Sequence, residues 1–525
     1  MSIGLRLSDR KIPFIDHYGL VRKILASRGK GCYTTFKMDY ETTIGLEVHS
    51  QLLTKSKMFC RCSADYADAA PNTHVCPVCL GMPGVLPVIN QQALEYVVMT
   101  ALALNCTIPE YCKFDRKNYP YPDLMKGYQI SQYDAPLGVK GWLEIEVEGQ
   151  KKRIGITRVH LEEDTAKLIH RSAPGEGSYS LVDVNRAGVP LMEVVSEPDI
   201  HTPEEARQYL MKLRTILQFL GVSSGNMEEG SFRCDANISI RPLGSTNSVV
   251  KVEVKNMNSF RAVYHALEYE EQRHRRVIEE SGRLVQETRG WVEERGVTVS
   301  QRSKEYAHDY RYFPEPDLPP LTFSRLWVEE LRSHLPELPD ARQDRFMAQY
   351  GLPYYDASLL TGSKATADYF EACVKLNTKA EVEKRAKAVS NWILGDFARL
   401  LHATDTQIGD SKVSPDHLAG MLDLIDDGTL SGAAAKTVFE EMFNSGKRAA
   451  EITDEKGLTQ ISDAQEMEEI VAQVVAANAQ AVADFRKGKE VALTFLVGQV
   501  MRQTKGRANP SVVNKLLKEK LEESA

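Results

Sequence analysis

No run of about 18 or more apolar residues occurs in this sequence, so no stretch reads as a membrane span. Neither G-x-x-x-x-G-K-[ST] nor G-x-G-x-x-G is present, which excludes a P-loop and a dinucleotide-binding turn; any ATP site must be built differently. An excess of positive charge is missing too. The formal net charge is −7, which does not suggest a protein coated in nucleic acid but leaves room for local basic patches. Internal repeats and low-complexity tracts are absent. The first 38 residues hold no apolar core flanked as in a secretory signal, and Asp9, Asp16 and scarce serine argue against a transit peptide. Cysteine is scarce, nine in 525 residues. Without an export signal these are expected as thiols in a reducing cytosol.

The length exceeds what one core fills and suggests three or four domains of about 150 residues. Texture divides the chain. From about residue 40 to 325 it mixes alternating strands, Gly/Pro turns and a few helices. Leu143, Ile145 and Val147 face one way, a Glu-Gly-Gln turn follows, and a second strand returns. Asn90 caps a predicted helix through Leu104, and Thr202-Pro203-Glu204-Glu205 forms a capping box with proline in the first turn. Another helix starts at Ser259. The proline-rich stretch Phe313 to Leu321 closes this region, and beyond it the pattern is helical. The expected organisation is an N-terminal extension (1–38), an α+β domain (39–325), a helical domain (326–412) and a helical tail (413–525).

Four of the cysteines fall in CRCSADYADAAPNTHVCPVC: Cys60, Cys62, Cys76 and Cys79, spaced C-x-C, thirteen residues, C-x-x-C. Each close pair offers half of a tetrahedral thiolate cage on one turn, so a structural Zn²⁺ explains the quartet better than four buried thiols do. A closed four-thiolate site leaves no open coordination position for chemistry. The isolated Cys32, Cys106, Cys112, Cys234 and Cys373 read as ordinary buried residues.

Upstream, TTIGLEVHSQL reads as a strand with Ile44, Leu46 and Val48 on one face and Gly45, Glu47, His49 and Gln51 on the other. Glu47 and His49 then project together, which suits a hard cation; the plain alternative is a solvated strand face. Two further acidic stretches join them. Glu162, Glu163 and Asp164 end a strand, and Glu193 stands among Leu191, Met192, Val194 and Val195, where a carboxylate is costly unless it is paired or binds a metal.

Basic and amide-rich segments could face phosphates: Arg116 and Lys117, Lys255 with Asn256 and Asn258, and Arg311. GVSSG (Gly221 to Gly225) matches the G-x-S-x-G of hydrolases, but a helix precedes it where that motif needs a strand, so Gly221 reads as a helix cap. The stretch from Phe485 to Leu521 carries nine Lys/Arg, among them Lys489, Arg502, Lys505, Arg507 and Lys515, against Glu490 and Glu519. It reads either as a phosphate-backbone grip or as the solvated face of a helical bundle.

The runs IGLEVH, KFDRKNY, GYQISQYD, HLEEDTAK, NRAGVPLMEVVSEPD, MEEGSFRCDANIS, RYFPEPD and FLVGQVM with TKGRANP resemble the GatB family, the B subunits of the tRNA-dependent amidotransferase GatCAB. The resemblance runs from Tyr40 to the C-terminus. It stops before Tyr40, and Met38 offers an alternative start. It implies a β-rich cradle, then a helical domain, then a YqeY-like tail that contacts tRNA. It implies a ligase that uses ATP and Mg²⁺ to phosphorylate the side-chain carboxylate of Glu-tRNA(Gln), Asp-tRNA(Asn) or both, in the bacterial cytoplasm. Ammonia released from glutamine by the GatA subunit then displaces the phosphate; GatC completes the heterotrimer. By motif, the family's catalytic metal ligands fall on Glu47, His49, Glu163 and Glu193. Arg116, Lys117, Lys255 and Asn256 are the candidates for ATP or substrate. The implied YqeY-like tail favours tRNA contact by Lys489, Arg502, Lys505, Arg507 and Lys515.

A rival reading is a zinc-stapled RNA-binding module without catalysis. It accounts for the cysteines and the basic tail but leaves Glu47, Glu163 and Glu193 without a role.

Overall fold

The computed structural model describes residues 40–173, 177–245, 250–303, 310–376, 381–458, 464–486, 489–504 and 507–523. The expectations placed on residues 1–38 and on Lys505 lie outside these.

Strand β1 (Tyr40–Gln51) shows how the sequence builds the sheet. Its burial alternates, with Ile44, Leu46 and Val48 inward and Gly45, Glu47, His49 and Gln51 on the opposite face. β2 (Gly138–Val147) and β3 (Gln150–Glu163) form a hairpin. Its turn residues Glu148 and Gly149 both have positive φ, 53° and 76°, as a two-residue loop twisted with its strands requires. β4 (Pro190–Ser196), β5 (Phe232–Pro242), β6 (Val252–Lys255), β7 (Glu287–Val292) and β8 (Val297–Ser303) complete an eight-stranded sheet. The order is β8-β7-β6-β5-β1-β4-β3-β2, and only β6 and β7 run parallel.

Three helices cover one face of this sheet. The side chain of Asn90 accepts the Ala93 N–H at the start of α1 (Gln91–Ala103). Thr202 accepts the Glu205 N–H to start α2 (Pro203–Leu220), and Ser259 accepts the Ala262 N–H to start α3 (Phe260–Glu279). Gly221 ends α2 in the left-handed conformation (φ 69°), and Ser223 just beyond is buried, its hydroxyl taking hydrogen bonds from Ser50 and the Gly225 N–H. Ile44, Leu46, Val48, Leu161, Val194 and Ile238 meet Val97, Leu213, Leu217 and Val263 in the first core. Each such side chain contributes about 1.5–3 kcal/mol on burial. The apolar face is therefore committed to the helices, and the polar face is left for chemistry.

Beyond residue 325 the chain is helical, which makes the architecture α+β as the sequence texture implies. A second core unites residues 346 to 452 around Phe346, Phe370, Phe397, Met421 and Phe439, with Phe219 of α2 at its edge. A third, around Met467, Val471, Leu496, Val500 and Leu517, belongs to the last helices. The second core thus continues past residue 413, where texture alone starts the tail. No helix among the described residues is long and apolar enough to cross a membrane.

Candidate active site

Strand register assembles the site. His49 on β1 stands opposite Glu193 on β4, Glu193 stands opposite His160 on β3, and His49 is flanked on its other side by Arg233 of β5. One row across four strands therefore reads Arg233, His49, Glu193, His160. Glu162, two residues after His160, projects from the same face. His49 Nε2 lies 3.4 Å from Glu193 Oε2 and 3.7 Å from Glu162 Oε1, and His160 Nε2 lies 3.2 Å from Glu193 Oε2. The ligand atoms of His49, Glu162 and Glu193 all fall within 4.8 Å of one another. Glu47 sits one row along, opposite Asp235, and its carboxylate accepts the Asn237 side-chain N–H at 3.0 Å.

The structure brings Glu47, His49 and Glu193 to one face, and it is Glu162 rather than Glu163 that completes their cluster. Adjacent strand residues point to opposite sides. Glu163 turns away, where both its oxygens accept from Lys126 Nζ (2.6 and 2.8 Å) and one accepts the Ile130 N–H. Asp164, the next acid, accepts from Gln51 and Arg233 at 2.7 and 3.1 Å and so ties β1, β3 and β5 at the cluster's edge. His160 and Arg233 were not singled out from sequence. The spacing of His160 and Glu162 on a strand ending in HLEED was the signal that could have found the first.

The charges are arranged in opposition. Burial alone would raise Glu193, but the imidazoles of His160 and His49 outweigh it and hold the carboxyl well below the usual range. Burial alone would lower His49, and Glu193 with Glu162 overcome it, pushing the imidazole up to about 9. Glu47 moves the other way: burial raises it, and Glu193 and Asp235 add to that. Two carboxylates and an imidazole converging this closely fit a hard divalent cation. His160 Nδ1 is buried with no hydrogen-bond partner among the described residues.

Of the basic candidates, Lys117 lies near enough to the cluster to feel the charges of Glu162 and Glu193. It lies on a short strand (Asp115–Asn118), with its ammonium 5.1 Å from the ring centre of Tyr310 and 5.8 Å from that of Tyr119. Burial opposes its charge, but Glu162, Tyr312, Tyr119 and Glu193 together raise it. Arg116, its neighbour, points elsewhere, and its guanidinium forks onto Glu315 at 2.7 and 2.8 Å. Lys255 pairs with Asp235 and Glu253 beside Glu47's row, and exposed Asn256 follows with φ 64°.

The four knuckle cysteines also converge, with every sulfur within 4.8 Å of the others and Cys76 Sγ 3.9 Å from Cys79 Sγ. Tetrahedral Zn–S bonds put sulfurs about 3.8 Å apart, so the set fits zinc. A bridge between Ser56 and Ser63 closes the first turn, and the Leu80 N–H bonded to the Cys76 carbonyl closes the second. Gly81 follows at φ 63°, where a Cβ would come within 2.6 Å of Lys126 Cγ, so glycine lets the knuckle pack against Lys126 and hence Glu163. In the tail, Lys489 pairs with Asp484 at 3.1 Å, Lys515 lies 3.9 Å from Glu519, Arg502 is exposed and Arg507 half-buried.

Fold and site define an α+β protein with a carboxylate–imidazole cluster, of a kind that fits a divalent cation, on the polar face of its sheet, followed by helical units. Residues 42–329 match the model of the GatB/GatE catalytic domain, and residues 368–521 match that of the GatB domain. The chain is 60% identical over 488 residues to the B subunit of the aspartyl/glutamyl-tRNA(Asn/Gln) amidotransferase of Dehalococcoides mccartyi strain CBDB1, covering 92% of this chain and 99% of the relative. It is 59% identical to the protein of the same name from Moorella thermoacetica and 58% to that from Carboxydothermus hydrogenoformans, again over 92% of this chain and 99% or more of each relative. The chain belongs to the GatB/GatE family.

Proposed function

We propose that this chain is the B subunit of an aspartyl/glutamyl-tRNA(Asn/Gln) amidotransferase, a ligase that forms a carbon–nitrogen bond with glutamine as the nitrogen donor. It works with a glutaminase subunit, GatA, and with GatC, in the bacterial cytoplasm. Its substrate is Glu-tRNA(Gln), Asp-tRNA(Asn) or both. The observation that carries this reading is the convergence of His49, Glu162 and Glu193 on the polar face of the sheet, with both carboxylates buried.

A side-chain carboxylate is a poor electrophile because its leaving group would be oxide. Phosphorylation by ATP supplies a stable leaving group that ammonia then displaces. Mg²⁺, held by His49, Glu162 and Glu193 with Glu47 at the border, would neutralise charge on the transferring γ-phosphoryl. The chain's own groups do the rest. Lys117 adds fixed positive charge beside the carboxylates, and His160 keeps Glu193 ionised and oriented from the side away from His49. Asn237 orients Glu47, and the tyrosines around Lys117 keep water from an acyl phosphate awaiting ammonia. Zinc in the knuckle would be structural and would brace the strands beside the site.

The third core, carrying Lys489, Arg502, Arg507 and Lys515, forms the tRNA-gripping tail, and the helical domain before it ends near Leu458. A zinc-stapled RNA-binding module without catalysis would need no such cluster. The test is ATP-dependent amidation of charged tRNA by the reconstituted assembly. Glu193→Ala and Glu47→Ala should abolish amidation while glutaminase activity persists, and full amidation by both variants would overturn the reading.

A further inference from the structure

We propose that the stacked ring pair Tyr133–Tyr312 is a platform for an adenine base at the rim of the carboxylate cluster; this rests on the amidotransferase reading above. The two rings lie 4.4 Å apart and 12° from parallel. Among the described residues the other ring pairs are edge-to-face or tilted, except Phe323–Trp327, which packs against the first core. The Tyr133–Tyr312 pair instead stands at the surface, with Tyr133 56% exposed. One face of the Tyr133 ring is taken by Tyr312, and more than half of the residue is still exposed.

Both rings are fixed by the same small sheet. The Tyr133 N–H donates to Asp115 Oδ2 at 3.0 Å, and Asp115 is itself buried. Tyr312 precedes the two-residue strand Phe313–Pro314, which pairs with Arg116 and Asp115. A flat aromatic surface held at both ends gives a stacking partner at small entropic cost. Continuity with the site comes through Tyr310, whose ring centre is 6.1 Å from that of Tyr312 and 5.1 Å from the Lys117 ammonium. Lys117 and Tyr312 both feel the charges of Glu162 and Glu193. A ligand stacked on Tyr133 therefore has its polar end directed past a cation toward the reacting carboxylates.

Both large substrates of the reaction end in adenine: the nucleotide, and the 3′-terminal adenosine that carries the amino acid on every tRNA. Stacking demands no particular hydrogen bond, and a base on an aromatic ring is held by about 1–3 kcal/mol. The experiment is steady-state amidation by the reconstituted assembly, varying ATP and charged tRNA in turn. Tyr133→Ala is expected to raise one KM by about five-fold or more, the equivalent of ~1 kcal/mol, and Tyr133→Phe, which keeps the ring, to restore it. A rise for ATP alone assigns the platform to the nucleotide, and a rise for tRNA alone assigns it to the terminal adenosine. A rise in both or in neither, or a Phe variant as impaired as the Ala variant, overturns the inference. A wild-type assembly that does not amidate charged tRNA removes the functional reading and the platform with it. An active wild type with unmoved KM values in the Ala variant removes the platform alone.

Discussion

His160 and Glu193 face each other across β3 and β4 with Nε2 3.2 Å from Oε2, while His49 reaches the same oxygen at 3.4 Å from β1. Glu193 is thus held between two imidazoles on a three-strand row, an arrangement in which His160 would position Glu193 and leave His49 to face a bound cation. Replacing it with Phe keeps the bulk and removes the donor. Mn²⁺ affinity, read by electron paramagnetic resonance, should fall about 10–100-fold as for other groups that orient metal ligands. An unchanged Mn²⁺ titration would show that Glu193 needs only His49.

The two glutamates of the HLEED run should behave differently. Glu162→Gln removes one of the three converging ligands and should weaken Mn²⁺ binding at least about ten-fold. Glu163→Gln leaves the cluster intact and unpairs Lys126 instead, so it should lower Tm more than it lowers cation affinity. Equal cation affinities for the two variants would mean that strand alternation does not decide the ligand set.

Removing zinc should loosen the knuckle without touching the ligands of the sheet. Cys76→Ser is expected to release the metal, detected by a colorimetric chelator, and to raise amide hydrogen exchange between residues 55 and 90. Mn²⁺ binding at His49 should survive. A Cys76→Ser protein that keeps one tightly held zinc would argue against a four-thiolate cage.

Acid should act through Glu270. This fully buried carboxylate on α3 accepts from Arg273 at 2.7 Å and from the Thr298 hydroxyl, and lies 3.1 Å from Arg289 Nε and 3.2 Å from His274 Nε2. Burial opposes ionisation, but His274, Arg273 and Thr298 win and hold its pKa at about 2. A depressed carboxyl stabilises the fold above its unfolded pKa and loses that contribution as pH falls. The contribution, about 3 kcal/mol, should fade from roughly pH 4.5 toward pH 2. Urea melts of Glu270→Gln should show it already lost at pH 7, with a flatter dependence in acid.

Where the tail is cut should matter. A chain ended after Leu458 keeps the second core whole, and should fold and keep glutaminase coupling while its KM for tRNA rises. A chain ended at Lys412 strips Leu418, Met421, Val438, Phe439 and Met442 from that core. At about 1.5–3 kcal/mol each, their loss matches the 5–15 kcal/mol that holds a domain together, so this product should be aggregated or unfolded. Equal solubility and Tm for the two would place the boundary at residue 413 after all.

Local chemistry was legible in the residues themselves. The alternation of Ile44 to Gln51, the caps at Asn90, Thr202 and Ser259, the Glu148–Gly149 turn and the cysteine spacing each depend on neighbours within a few positions, where steric and hydrogen-bonding rules act directly. The α+β division and the strand bearing Glu47 and His49 followed from them. What the chain alone left undecided was pairing across distance. Register sets Glu193 between His49 and His160, both remote from it in sequence, and register depends on how a whole apolar face packs against α1, α2 and α3. That packing turned Glu162 inward to the cluster and Glu163 away to Lys126. It also carried the second core past residue 413, because helices of like texture are sorted only by which apolar stripes meet.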